Sequence, residues 1–326
     1  MDAALRAGEP EERPVAVLAA DIGNLRAAVE FGLEAGEVEV VRQITAALHM
    51  YWEIYGLYGE ARSWLDRALA LSDVQDVTRQ RLLSALAGFA RMQGDYVAAQ
   101  AASDEAASLA MALAGEADLY ESPRARASAA RSPDDLRTAA ALLQEALGVA
   151  LAAGNGVGTS ACRLGLAGLA NQQGHHDEAD DLLAENLPFV RGLGPIRCEG
   201  YTLASMADTC VRRGHLPDCA APALLGATRA LQIGDRYLAG WCLELFAAAI
   251  AAAGDQRRAA AILAAVDAAW HAMGIEPDAD EQALREQVLK VVEPHGQDFA
   301  LGQAEGQGLD LPTALSLAAG ADLTPA

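Results

Sequence analysis

The chain has 326 residues with 45 acidic and 24 basic side chains, a formal charge of −21 and a pI near 4.6. Binding to nucleic acid relies on lysine and arginine displacing counterions condensed on phosphate, so this balance excludes direct DNA or RNA contact as an expected role. Aromatics make up only 5%, alanine-rich runs such as 220–230 and 247–253 recur, and no strand-like alternation is present, so helices are expected throughout.

Residues 1–14 combine acidic side chains with Pro10 and Pro14 and lack a positive patch ahead of an apolar run. That pattern predicts a disordered N-terminus without a secretory signal, followed by a capping helix over 15–36. From 37 to 274 a repeat takes over. A turn-like residue is followed five residues later by a small one at Gly56/Ala61, Gly94/Ala99, Asp134/Ala139, Gly174/Ala179, Gly214/Cys219 and Gly254/Ala259. The last five copies lie 40 residues apart and the first lies 38 ahead of them. A second glycine series, Gly115, Gly154, Gly194, Gly234 and Gly274, has spacings of 39 or 40 and marks helix C-termini. Each unit reads as helix A, a tight turn, helix B and a turn, about six pairs in all.

Eight residues before each turn stand Leu48, Leu86, Arg126, Leu166, Met206 and Phe246; the next positions hold His49, Ala87, Ala127, Ala167, Ala207 and Ala247. A large apolar residue beside a small one lets neighbouring helices approach closely. A second small position in helix B falls on Ala68, Ala106, Ala146, Asn186, Gly226 and Val266. The third unit departs from the pattern: Ser122-Pro123 and Ser132-Pro133 each read as a cap with proline at the first helical position. Its helix A shrinks to about Pro123–Arg131, behind a loop at Gly115–Ser122. The glycine-rich run Gly154–Ser160 lacks the lysine of a phosphate loop and is read as a turn between helices. Beyond Gly274, helices over Asp278–Val292, Gln297–Ala304 and Pro312–Ala319 are expected to form a terminal cap within 275–319, and 320–326 to be disordered.

With a large–small pair in helix A, a turn glycine and two small residues in helix B, the chain resembles the tetratricopeptide repeat family. The 40-residue period, longer than the usual 34, resembles sensor domains of the maltose-regulon-activator type. The ends are similar to those of the repeat domain in LuxR-type and related actinobacterial regulators. DIGNLRAAVEFGLEAG over 21–36 looks like its opening helix, and AAILAAVDAAWHAMGIEP over 260–277 with DFALGQAEGQGLDL over 298–311 looks like its close. The resemblance implies a right-handed all-α superhelix of about six helix pairs with a helical C-terminal cap. It also implies the non-enzymatic sensor part of a signal-transduction ATPase regulator, without the ATPase and DNA-binding modules in this chain. A stand-alone adaptor that binds a partner constitutively is the alternative.

Five cysteines, Cys162, Cys198, Cys210, Cys219 and Cys242, include no CxxC, and most fall in apolar helical patterns, which suits reduced core residues and the cytoplasm. No apolar run is long enough to span a bilayer. His175, His176 and His215 occupy equivalent turns, but stacked turns lie about one helix diameter, ~10 Å, apart, too far for shared zinc ligation at ~2 Å. No catalytic constellation or cofactor motif is evident.

A ligand is therefore expected on the concave face formed by the A helices, where positions thirteen, ten, six and three before each turn share one side. This predicts an anion clamp of Arg81, Arg91, Arg124 and Arg131 in the front half, with Glu53 beside it. In the back half it predicts a cluster of Asn171, Tyr201, Asp208, Arg212, Trp241 and Glu244, suited to a partner protein, a peptide or a small effector.

Overall fold

Ten glycines from 36 to 274, Gly36, Gly56, Gly94, Gly154, Gly174, Gly194, Gly214, Gly234, Gly254 and Gly274, have positive φ in the computed structural model, which describes residues 12–113, 133–292 and 296–320. The left-handed conformation lets a helix end while its last carbonyls are still satisfied. At Gly214 the amide bonds the Val211 carbonyl at 2.9 Å, and the next amide, His215, bonds Cys210 at 2.9 Å. A β-carbon at these φ values is strained, which is why the series is glycine.

The described residues hold sixteen α-helices and no strand. The first unit of the chain, Met1–Leu166, holds α1 (Glu12–Ala35), α2 (Val38–Ala47), α3 (His49–Tyr55), α4 (Tyr58–Ala70), α5 (Val77–Met92), α6 (Tyr96–Ala112), α7 (Pro133–Ala152) and most of α8 (Gly156–Gln172). The second, Ala167–Ala326, holds the end of α8 and then α9 (His176–Leu193), α10 (Ile196–Arg213), α11 (Ala220–Ile233), α12 (Arg236–Ala252), α13 (Gln256–Met273), α14 (Ala279–Val292), α15 (Gly296–Gly306) and α16 (Leu311–Ala319). A short 3-10 turn, Leu216–Cys219, leads into α11.

The expected turn residue Asp134 lies inside α7, but the small positions expected in the B helices are buried in both units. At the first helix B position Ala61, Ala99, Ala139, Ala179, Cys219 and Ala259 are all buried, and so are Ala68, Ala106, Ala146, Asn186, Gly226 and Val266 at the second. Asn186, the polar exception, donates from Nδ2 to Thr202 Oγ1 at 2.9 Å. At Gly226 an added Cβ would lie 2.8 Å from Cys242 Sγ, so this crossing tolerates no side chain.

Several elements differ from expectation. The first helix starts at Glu12, taking in residues 12–14 that were expected to be disordered. The first helix A is not continuous: it breaks at Leu48, whose amide is shared between the Ile44 and Thr45 carbonyls at 3.2 Å each. The break coincides with His49 in the place of the repeat's alanine, its Nδ1 lying 3.2 Å from the Ala46 carbonyl. Gly156–Ser160 belongs to α8 rather than to a turn; only Gly154 and Asn155 form the turn, and Asn155 Oδ1 accepts from the Gly158 amide at 2.9 Å as a helix cap. The expected Pro123–Arg131 helix and Gly115–Ser122 loop lie outside the described residues.

In the first unit the core is aromatic: Trp52 meets Trp64 edge-on at 5.7 Å, and Tyr58 meets Phe89 at 5.5 Å. In the second, α9 to α13 pack each on the next in sequence, around Leu183, Leu238, Leu243, Phe246 and Ile250. The three terminal helices pack on different partners. α15 lies along α13, and α16 packs on α13, α12 and α11. α14 instead lies across α12 and α10.

The register makes a direct prediction. Ala179 is fully buried and Glu178 beside it is exposed. Ala179→Leu should lower stability by ~1–3 kcal/mol through overpacking, whereas Glu178→Leu should stay within about 0.5 kcal/mol. Equal shifts in thermal melts of the two variants would refute the assigned contact.

Candidate functional site

The face expected to bind a ligand is built, in the second unit, by the end of α8 and by α10 and α12. Asp208, Arg212 and Glu244 come together there, and Tyr201 and Trp241 lie on the same two helices. It is not open: α14 occupies it. Leu284, Val288 and Val292, four residues apart, form the buried stripe of α14. Around that stripe, charged side chains of α14 reach the A helices.

Asp280 receives both guanidinium prongs of Arg212, Nη1 to Oδ1 and Nη2 to Oδ2, each at 2.8 Å. Arg212 Nε also donates to Asp208 Oδ1 at 2.7 Å, so one arginine is held between two carboxylates. Gln172 Nε2 lies 3.4 Å from Asp280 Oδ2, and the Tyr237 hydroxyl donates to Glu281 Oε1 at 3.0 Å. One turn further along, Arg285 Nη1 donates to Glu244 Oε1 at 2.7 Å, its other prong pairs with Asp267, and its guanidinium covers the Trp270 ring at 5.6 Å.

Burial leaves its mark on the two A-face acids. Removal from water pushes Asp208 up to about 6, against the pull of Arg212, and Glu244 up to about 7, against the pull of Arg285. The expectation of solvent-facing charges at Asp208, Arg212 and Glu244 is thus corrected. α14 covers these residues, and Asp208 and Glu244 are only 7% and 3% exposed. Asn171 is likewise structural: it is buried, donates to Thr209 Oγ1 at 2.8 Å, and its Oδ1 lies 3.0 Å from His176 Nδ1.

Tyr201 and Trp241 remain half-buried, 6.4 Å apart, at one end of a row that continues through Tyr237 to Trp270. The Arg197 guanidinium lies 4.9 Å over Tyr201 and bonds Asp235 at 3.1 Å. Sequence reasoning missed Tyr237, Trp270, Asp280 and Arg285. The available signal was in α14 itself, where Asp280, Glu281 and Arg285 flank an apolar stripe of regular helical spacing.

In the first unit Arg81 on α5 is exposed, Arg91 is half-buried with Nη2 3.3 Å from Met92 Sδ, and Glu53 on α3 is half-buried. Arg124 and Arg131, the other half of the expected clamp, lie outside the described residues. Among the described residues no group of three or more His, Cys, Asp or Glu side chains is placed to hold a metal ion, and no helix is long and apolar enough to cross a membrane. In sequence comparison the chain matches no protein-family model and no curated protein.

Proposed function

We propose that the chain is a non-enzymatic binding module of the tetratricopeptide-like kind, a right-handed superhelix of helix pairs whose A-helix face receives a partner protein or peptide. In this reading it is the sensor part of a bacterial regulator of the LuxR and signal-transduction ATPase type, acting in the cytoplasm and contacting neither nucleic acid nor membrane. The observation that supports a binding role is the seating of α14: the A-helix face takes an amphipathic helix through an apolar stripe and paired charges together. Helix-in-groove recognition uses that combination.

The test is affinity capture from a lysate of the source organism with the tagged chain and with its Arg91→Glu and Trp241→Ala variants. A captured protein should be lost from at least one variant whose helicity and melting temperature match the unaltered chain. Its capture should also weaken as salt rises if the arginine takes part. A partner retained equally by both variants at every salt concentration would remove the A-helix face from consideration.

A further inference from the structure

α14 does not close the end of the array. That work is done by α15, which lies so tightly on α13 that a Cβ at Gly302 would stand 2.0 Å from the Arg257 carbonyl oxygen, and one at Gly306 2.2 Å from that of Ala261. α15 thus meets α13 at backbone contact. α14 is held by side chains: two arginine–carboxylate clusters, one of which also reaches Asp267 and Trp270 of α13, a tyrosine hydroxyl and three buried aliphatic residues.

The chemistry of that contact is unsuited to a permanent cap. Buried ion pairs replaced by apolar residues of similar volume often leave a protein as stable or more so, whereas losing one partner of such a pair is strongly unfavourable. An A face whose sole task was to hold α14 would be better served by leucine at 208 and 244. Asp208 with Arg212, and Glu244 across from an arginine, instead select an incoming helix by charge and register.

We propose that α14 is a displaceable occupant of the second unit's A-helix face, and that this face docks a partner helix of matching chemistry. Such a helix carries an Asp-Glu pair at its start, an arginine about one turn later, and apolar residues four apart. Arg212 takes the first acid, Glu244 and Asp267 take the arginine, and the partner's apolar stripe replaces Leu284, Val288 and Val292. Release of α14 and binding of the partner are then two sides of one exchange, and affinity for the partner is reduced by the fraction of chains with α14 docked. This rests on the binding-module reading and specifies its ligand.

The probe is a fluorescein-labelled synthetic peptide of residues 276–292, added to the full chain. Arg285→Glu places a third carboxylate beside Glu244 and Asp267 and should release α14. The peptide should bind this variant at least tenfold more tightly than the unaltered chain, and a peptide carrying the same arginine-to-glutamate change should bind neither. Equal binding of the unaltered peptide to both proteins, with the variant's helicity intact, overturns the proposal. Should the variant fail to fold, hydrogen exchange on the unaltered chain decides. Amides over 284–292 should exchange at least tenfold faster than those of α13, and faster still with excess peptide; protection equal to that of α13 overturns the proposal. If α14 proves fixed while Arg91→Glu still abolishes partner capture, this inference falls and the binding-module reading stands. If capture is also indifferent to the A-face variants, both fall.

Discussion

Alanine at Gly302 should destabilise the second unit by ~3 kcal/mol, the upper end of what overpacking costs, and lower its melting temperature by roughly 10 °C. The added methyl would stand 2.0 Å from a carbonyl oxygen and 2.8 Å from Ala260 Cβ, and neither α13 backbone nor an alanine can move aside. α15 must therefore lift from α13 along its length. Gly306→Ala should behave alike, since its Cβ would meet the Ala261 carbonyl oxygen at 2.2 Å. The contrast is Gly148→Ala in α7, where nothing lies within 4 Å of the new atom. There alanine only removes backbone freedom from the unfolded chain, and stability should rise by ~0.5–1 kcal/mol. Thermal melts of the three variants check both signs, and a Gly302→Ala protein that melts with the parent would show that α15 is not seated on α13.

The second large effect concerns pH. Glu244 rises from 4.5 to about 7 on burial, with Arg285 pulling the other way and Asp267 adding to the rise. A carboxyl whose folded value is raised holds its proton more tightly when folded, so its contribution is complete below about 4.5 and is lost as pH climbs through about 7. At about 1.36 kcal/mol per unit this amounts to ~3 kcal/mol between pH 4.5 and 8. Asp208, raised to about 6 by burial, acts in the same direction. The melting temperature should accordingly fall as pH rises from 5 to 8, and Glu244→Gln should flatten most of that slope while leaving the part due to Asp208. Carboxyls held low act elsewhere: Asp95, lowered by Arg62 and the Ala98 amide, loses its contribution only in strong acid. A Glu244→Gln variant with the parent's slope between pH 5 and 8 would place the titration on another group.

What the sequence by itself determined is what short-range physics controls. A glycine at positive φ ends a helix without reference to anything distant, and so Gly174, Gly214, Gly254 and Gly274 could be placed from spacing alone. The small residues five positions after each turn follow from the same period, because helices of equal length packed side by side cross at equivalent residues, and Ala61 through Ala259 are buried accordingly. The spacing also predicted one shared face for Asp208 and Glu244. Only the tertiary structure decided whether that face met water. An acid on an A helix looks the same in sequence whether solvated or covered, and its partner here is remote: Arg285 is 41 residues beyond Glu244, and Asp280 is 68 beyond Arg212. No local rule sends α14 across α12 and α10 while α15 closes on α13; that choice comes from a fit between an aliphatic stripe, two arginines and their carboxylates, and from two glycines that let α15 come within backbone contact.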